Sequence, residues 1–182
     1  MLTVITGPMF AGKTSALISM VKANLIAGNE IEAFTPSNDT RYGLEVIASH
    51  DGEEINAEVL DKMSPFKSYF IEDMRKTKAV AFFEECQFFN VPSLMLLIKN
   101  LLDDGRDVVC AGLPNDSFGE PFGAMPQLLS IADEIISLKA VCSKCKKINK
   151  ATRTFRKSDS KEQVVVGGKD IYEPRCFDCW RK

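Results

Sequence analysis

Short runs of apolar residues alternate along the chain with longer segments in which apolar residues recur at helical spacing. The short runs predict strands at residues 2–6, 31–35, 79–83, 107–112 and 134–140. Helical spacing predicts helices at residues 14–27, 64–76, 90–104 and 126–132. The runs at 79–83 and 107–112 are typical of strands buried on both faces of a parallel sheet. The alternation of strands and helices predicts an α/β domain built on such a sheet.

Several helix boundaries carry their own sequence signals. Gly28 is expected to end the first helix, and Asn90 is expected to cap the third. Ser64 is expected to cap the second helix, with Pro65 as its first residue. One face of the first helix is expected to be buried, namely Leu17, Ile18, Val21, Leu25 and Ile26.

Residues 7–14, which follow the first predicted strand, read GPMFAGKT. Gly7, four residues, and then Gly12, Lys13 and Thr14 match the P-loop pattern. The N–H groups of such a loop surround a phosphate, and the helix that follows adds partial positive charge. Lys13 is expected to reach the outer phosphates and Thr14 to ligate Mg²⁺. The alternative is an ordinary glycine-containing turn, but the flanking strand and helix favour nucleotide binding.

The strand predicted at 79–83 leads directly into Glu84 and Glu85. An apolar strand that ends in acidic residues, downstream of a P-loop, is the Walker-B arrangement, whose first carboxylate holds Mg²⁺. The second carboxylate can act on the nucleophile, because neighbouring side chains at a strand end point to opposite sides. The alternative is acidic decoration of a helix N-terminus. The buried strand and the P-loop favour the functional interpretation.

Two turn-rich segments follow predicted strands, where the ligand-binding loops of an open α/β sheet lie. Residues 36–43 contain Asp39 and Arg41, which either form a local ion pair or bring Arg41 to phosphate oxygens. Residues 113–123 contain two prolines and two phenylalanines. This segment either covers a flat ligand or is an ordinary connection docked on the core. The one histidine, His50, is expected in a turn or a substrate loop.

Two CxxC pairs lie near the C-terminus, separated by 30 residues, and consist of Cys142 with Cys145 and Cys176 with Cys179. Four thiolates in two such pairs form a tetrahedral set for Zn²⁺. Redox dithiols are the alternative, but a redox site needs only one pair. The long spacer predicts strands at residues 152–156 and 163–166 and a turn at 167–168.

Composition narrows the class of protein. The chain has 182 residues, which is enough for one α/β domain and a small appendage. A net charge of −2 argues against a nucleic-acid-binding surface. We expect no membrane segment and no signal peptide, since a strand begins at residue 2. A reducing cytoplasm is therefore expected, in which the six cysteines are thiols or metal ligands rather than disulfides.

Taken together, these motifs resemble the type II thymidine kinase family, and the resemblance covers nearly the whole chain. The matching segments are GPMFAGKT, DTRY followed by SHDG, EECQFF, AGLPNDSFGEPFG, MPQLLSIAD, LKAVCSKC and VVVGGKDIYEPRCFDC. The resemblance implies an α/β fold with a P-loop, RecA-like parallel-sheet core over residues 1–140. It also implies a small C-terminal zinc-binding lasso domain over residues 141–182.

The resemblance implies a role for each matched residue. Glu85 would be the general base on the nucleoside 5′-hydroxyl, with Lys13 and Arg41 beside the transferred phosphoryl group. The implied ATP-binding residues are Gly7, Pro8, Met9, Phe10, Ala11, Gly12, Lys13, Thr14, Glu84 and Gln87. The implied thymidine-binding residues are Met9, Phe88, Leu113, Phe118, Phe122, Thr154, Val166, Gly167, Gly168 and Tyr172. The implied ligands of a structural Zn²⁺ are Cys142, Cys145, Cys176 and Cys179.

The chain departs from the family pattern at four positions, of which Cys86, in place of a small residue, is expected to cost little where it is buried. Glu84 stands where the family has aspartate, which lengthens the metal-side arm by one methylene. Pro114 stands where the family usually has aspartate, directly after Leu113. Ser117 stands where bacterial members have phenylalanine, so that the aromatic ring moves to Phe118. The changes at 114–118 bear on nucleoside selectivity rather than on the type of reaction.

The sequence thus predicts a cytoplasmic enzyme of nucleotide salvage that uses Mg²⁺ and ATP to phosphorylate the 5′-hydroxyl of thymidine and of deoxyuridine. Two alternatives are a kinase of another deoxynucleoside and a nucleotide-binding regulator that has lost phosphotransfer. The resemblance further implies a homotetramer and feedback inhibition by thymidine triphosphate. Neither nucleic acid nor a membrane is expected as a partner.

Overall fold

A computed structural model of the chain describes residues 1–37, 46–61 and 65–182. In chain order its elements are β1 (Leu2–Thr6), α1 (Lys13–Ile26), β2 (Ile31–Pro36), β3 (Val46–Ala48), β4 (Glu54–Asn56), β5 (Glu58–Leu60), α2 (Ser68–Lys76), β6 (Val80–Phe83), a 3₁₀ turn (Cys86–Phe88), α3 (Val91–Asp103), β7 (Val108–Gly112), α4 (Met125–Ile131), β8 (Glu134–Ser137), β9 (Arg153–Arg156), β10 (Tyr172–Arg175) and α5 (Phe177–Trp180). Within these described ranges, no helix is both long enough and apolar enough to span a membrane.

Six strands form one parallel sheet in the order β5–β2–β6–β7–β1–β8. Every residue of β1, β6 and β7 is buried, as their apolar runs predict. Alternate residues of these strands enter two separate cores. Helix α1 and the β3–β4 hairpin cover one face of the sheet, whereas α2, α3 and α4 cover the other. The predicted α/β fold with a parallel sheet is confirmed.

The parallel arrangement brings several loops to one edge of the sheet. The segments that follow β1, β6 and β7 all leave from the carboxyl ends of their strands, where open α/β sheets bind ligands. Strand β7 lies between β1 and β6, so the P-loop and the acidic pair face each other across one strand. The sheet therefore assembles the predicted motifs into one region.

Helix ends agree with their sequence signals in part. The Asn90 side chain accepts a hydrogen bond from the Ser93 N–H over 3.2 Å and caps α3 as predicted. Helix α1 ends at Ile26 with Ala27 as its C-cap, and Gly28 follows in the left-handed conformation, with a φ of +81°, and stops the helix as expected. The prediction that Leu25 and Ile26 are buried is wrong, because they are 54% and 88% exposed. The last turn of α1 borders an open surface groove, so it is only partly covered.

Helix α2 begins later than predicted, at Ser68 with Lys67 as its cap. The expected cap, Ser64, lies outside the described residues, and Pro65 precedes the helix. Next to Pro65, the ring of Phe66 packs against the ring of Phe70 in α2, with centroids 5.6 Å apart. This contact anchors the segment before α2 without helical backbone.

Residues 140–182, which we term the C-terminal lobe, hold the antiparallel pair β9–β10 and a small core around Ala140 and Ala151. The strand predicted near 152–156 is confirmed as β9. The strand predicted at 163–166 is wrong, because β9 pairs with β10 instead. In that segment the backbone of Val165 exchanges hydrogen bonds with the Tyr172 hydroxyl rather than with a strand.

Candidate active site

The P-loop lies in the turn between β1 and α1. A Cβ atom at Gly7 would lie 2.5 Å from the carbonyl oxygen of Leu138, so only glycine fits there. Gly12 precedes α1 with a φ of +83°, which also favours glycine. The first turn of α1 carries no acidic side chain, so the partial positive charge of the helix N-terminus is not compensated within the helix. The turn is thus suited to an anion.

Lys13 is held inside this turn. Its ammonium group donates a hydrogen bond to the Pro8 carbonyl over 3.1 Å. Burial lowers the pKa of Lys13, while the carboxylates of Glu85 and Glu84 act in the opposite direction. A phosphate bound beside the ammonium group would favour its charged form.

Thr14 and Glu84 lie side by side at the start of α1. The Thr14 hydroxyl is hydrogen-bonded to the Glu84 carboxylate, which belongs to a buried residue at the end of β6. Hydroxyl and carboxylate oxygens are ligands that Mg²⁺ prefers. The donor set therefore fits the magnesium ion that the sequence predicts.

Glu85 also lines the region around the P-loop, but its carboxylate has a different hydrogen-bond partner from that of Glu84. Its backbone is left-handed, with a φ of +50°, which is uncommon for a residue other than glycine. Its carboxylate accepts a hydrogen bond from the side-chain NH₂ group of Gln87, and the side-chain oxygen of Gln87 accepts one from the Leu113 N–H over 3.0 Å. Gln87 therefore connects Glu85 to the loop that follows β7.

Two neighbouring cavities open at this edge of the sheet. The first, which we term the P-loop cavity, is lined by the P-loop, His50 and Asp51 from the β3–β4 turn, both glutamates, and Lys169 from the C-terminal lobe. His50 lies in a turn as expected, with its ring 5.4 Å from that of Phe10. Among the predicted ATP-binding residues, those that do not line this cavity are Gly7, Pro8, Ala11 and Gln87.

The second cavity, which we term the apolar cavity, lies between the sheet edge and the C-terminal lobe. Its core side is formed mainly by Phe88, Leu113 and Phe122, and its lobe side by Tyr172 and residues 163–167. Met9 and Glu85 line both cavities. Two molecules that occupied the two cavities would therefore meet beside Glu85.

Most of the predicted thymidine-binding residues line the apolar cavity, and the two that do not are Phe118 and Gly168. Phe118 is 47% exposed, and its ring lies 4.7 Å from the Arg156 guanidinium carbon. The neighbouring Ser117 lies on the cavity wall instead. The predicted phosphate-binding residue Arg41 lies outside the described residues.

Three hydrogen bonds hold the C-terminal lobe in place around the apolar cavity. Two of them join the lobe to the α/β core, and the third lies within the lobe. The Met9 N–H donates to the Thr154 hydroxyl over 3.0 Å, and the Gln163 amide donates to the Asp116 carboxylate over 3.0 Å. Within the lobe, the Tyr172 hydroxyl donates to the Val165 carbonyl over 2.8 Å. Asp116, Gln163 and Lys169 were not predicted as site residues, because their neighbours in the site are distant in the chain.

The two CxxC pairs come together in the C-terminal lobe. The sulfur atoms of Cys142, Cys145, Cys176 and Cys179 all lie within 4.8 Å of one another. Burial raises the pKa of the Cys142 thiol, but hydrogen bonds from the Cys145 and Cys176 backbone outweigh it and bring the value to about 6. A four-thiolate set suits a closed, tetrahedral zinc site. Because both pairs join one cluster, the arrangement favours zinc over a redox dithiol.

Fold and site together define a P-loop nucleotide-binding protein with a second, apolar ligand cavity and a four-cysteine lobe. The family model described as thymidine kinase matches residues 1–180. A relative named thymidine kinase from Pseudothermotoga lettingae is 35% identical over 181 residues, covering 100% of this chain and 95% of the relative. Another of that name, from Coprothermobacter proteolyticus, is 41% identical over 182 residues, covering 96% of this chain and 87% of the relative.

The chain belongs to the thymidine kinase family. The resemblance found in the sequence motifs is thereby confirmed.

Proposed function

We propose that the chain transfers the γ-phosphoryl group of ATP to the 5′-hydroxyl of thymidine, and of deoxyuridine, in nucleotide salvage. The observation that carries this proposal is the position of Glu85 on the walls of both cavities. A carboxylate at this junction can accept the proton of a hydroxyl in one cavity as that hydroxyl attacks a phosphate in the other. Membership of the thymidine kinase family supports thymidine as the acceptor.

On the donor side, the P-loop backbone and Lys13 bind the phosphates of ATP. Thr14 and Glu84 hold Mg²⁺, whose role is to neutralise charge and orient the phosphates. The extra methylene of Glu84 is compatible with this role, since its carboxylate already reaches the Thr14 hydroxyl. Lys169 adds a second positive charge at the same cavity.

On the acceptor side, the apolar cavity binds the nucleoside with its base among aromatic and aliphatic side chains. The rings of Phe88 and Phe122 meet edge to face, 5.4 Å apart, and form a firm wall for a flat ligand. The backbone near Val166, Gly167 and Gly168 reads the polar edge of the base. The 5′-hydroxyl then faces Glu85 and the γ-phosphate.

Catalysis in phosphoryl transfer comes mainly from positioning and from stabilisation of charge on the transferring group. In this chain Lys13 supplies that charge, with Arg41 as a further proposed contributor. Glu85 accepts the hydroxyl proton. Because Lys13, Thr14 and both glutamates stand together at the site, an enzyme is favoured over a nucleotide-binding regulator.

The experiment that tests the proposal measures Mg²⁺-ATP-dependent phosphorylation of thymidine, deoxyuridine, deoxycytidine and deoxyguanosine by the purified protein. Preference for thymidine and deoxyuridine supports the proposal. Preference for another nucleoside makes the chain a kinase of that nucleoside. Binding of nucleotides without any turnover makes it a regulator.

We also propose a homotetramer and feedback inhibition by thymidine triphosphate, both on the basis of family resemblance. Sedimentation equilibrium measures the first. Inhibition of thymidine phosphorylation by added thymidine triphosphate measures the second, and inhibition that competes with both substrates would show that it occupies both cavities.

A further inference from the structure

Ser117 lines the apolar cavity, and within the described residues its buried hydroxyl has no hydrogen-bond partner. The Ser117 Oγ atom is shielded from solvent, and no residue in the described part of the chain donates to it or accepts from it. A buried polar group without a partner is costly, and in native proteins such groups are nearly always satisfied by protein, water or ligand. The Thr6 hydroxyl shares this condition, but it belongs to β1 and does not line the cavity.

Other polar side chains on the same wall are already engaged within the protein. The Thr154 hydroxyl accepts from the Met9 N–H, and the Tyr172 hydroxyl donates to the Val165 carbonyl. The Asn115 amide donates to a backbone carbonyl of its own loop. The Asp116, Gln163 and Glu85 side chains also have protein partners. Among the described residues of this wall, Ser117 therefore carries the one hydroxyl that makes no hydrogen bond within the protein.

The backbone around Ser117 is fixed on both sides. The Asp116 carboxylate accepts hydrogen bonds from the backbone N–H groups of Phe118, over 2.9 Å, and Glu120, over 3.0 Å. The Phe118 ring lies against the Arg156 guanidinium, which is itself hydrogen-bonded to two lobe carbonyls. The loop therefore holds Ser117 in the wall without giving its hydroxyl a partner, which is the preorganisation that a binding group requires.

Building on the proposed function, we propose that Ser117 is a specificity-determining residue whose hydroxyl hydrogen-bonds a polar atom of the bound nucleoside. A hydroxyl can donate to a carbonyl oxygen of the base or accept from a hydroxyl of the sugar. At this position the site selects by hydrogen bonding rather than by an aromatic ring, since Phe118 lies outside the cavity wall.

The test compares the wild-type protein with Ser117→Ala in thymidine kinetics, thymidine binding by calorimetry and thermal unfolding. The loss of one hydrogen bond to the ligand should raise KM and Kd for thymidine roughly five- to tenfold, with kcat and KM for ATP changed less than about twofold. The melting temperature of the free protein should stay equal or rise, because the substitution removes an unpaired buried hydroxyl. A purely structural role for Ser117 predicts a lower melting temperature instead.

Two control variants complete the comparison. Ser117→Thr keeps the hydroxyl and should bind thymidine within about threefold of wild type. Ser130→Ala removes a hydroxyl that is bonded to the Gln127 carbonyl on α4, away from the cavity, and should leave KM for thymidine unchanged.

Nucleoside analogues identify the contacted atom. 3′-Deoxythymidine lacks only the 3′-hydroxyl of the sugar, and 2-thiothymidine carries a weaker acceptor in place of the O2 oxygen of the base. The analogue that lacks the contacted atom should bind equally to wild type and Ser117→Ala. Equal thymidine Kd and KM in wild type and Ser117→Ala would overturn the inference and leave the proposed function standing. Thymidine binding without phosphorylation would overturn the proposed function. The Kd values of wild type and Ser117→Ala for thymidine would still test the role of Ser117.

Discussion

The backbone N–H of Met9 donates a hydrogen bond to the Thr154 hydroxyl over 3.0 Å, across 145 positions of sequence. Met9 belongs to the P-loop and lines both cavities, whereas Thr154 lies in β9 of the C-terminal lobe. This bond, together with the packing of Ala11 against the small core of the lobe, connects the phosphate-binding turn to the lobe that lines the apolar cavity. Under the proposed function, this contact would help to align the phosphate donor with the nucleoside acceptor.

Thr154→Val keeps the shape of the side chain and removes the acceptor of that bond. The unpaired Met9 N–H should cost about 1–2 kcal/mol, which corresponds to a fall in melting temperature of roughly 3–6 °C for a chain of this size. KM for thymidine should rise by about threefold or more. Thermal unfolding and steady-state kinetics measure both effects. Thr152→Val, a substitution next to β9 and off the cavity wall, is the control, and equal behaviour of the two variants would contradict the coupling.

Lys169→Ala tests whether the C-terminal lobe contributes charge to the P-loop cavity. Lys169 is exposed and lines that cavity together with the P-loop. Removal of one partly solvated cation should raise KM for ATP by about three- to fivefold and make that KM less sensitive to salt. KM for thymidine should stay within about twofold.

The matched control is Lys161→Ala, which removes an exposed lysine of the same lobe that does not line the P-loop cavity. Both variants change the net charge equally, so a general electrostatic effect would move them together. If Lys161→Ala and Lys169→Ala raise KM for ATP by the same factor, Lys169 has no local role.

Zinc analysis tests the four-cysteine cluster. We expect inductively coupled plasma mass spectrometry to find one Zn²⁺ per chain, because four sulfur atoms lie within 4.8 Å of one another. Cys176→Ser should lose the metal and lower the melting temperature by about 5–10 °C, since a structural site contributes folding free energy. The control variant is Cys110→Ser, which alters a buried cysteine outside the cluster. This variant should contain as much zinc as the wild-type protein. A zinc-free protein with an intact lobe and a reversible disulfide would instead support the redox alternative.

Much of the fold could be predicted because its signals are local. The P-loop, the buried run of β6 and the Asn90 cap each depend on neighbouring residues, and all three lie where the pattern predicts. The strand β5 was missed because only three residues form it and its pairing with β2 depends on distant sequence. Leu25 and Ile26 fit the helical period, but periodicity alone does not tell where the covering layer ends.

The candidate site divides in the same way. Residues within motifs, such as Lys13 and Glu85, are recognisable in the sequence because the spacing itself carries the chemistry. Gln163 and Lys169 reach the site because the lobe lies against the sheet edge, which no local pattern encodes. The strand predicted at 163–166 was wrong for the same reason, because the segment is held by Tyr172 and Asp116 rather than by a neighbouring strand.

The most direct test of the central claim is the single-turnover rate of thymidine phosphorylation by Glu85→Gln, with Glu120→Gln as a matched exposed control. Removal of the general base at the junction of the two cavities should lower this rate by roughly 10²–10³-fold, with the fold and the zinc content unchanged. Glu120→Gln should react like wild type. A rate for Glu85→Gln within about threefold of wild type would contradict the assignment of Glu85 and the mechanism built on it.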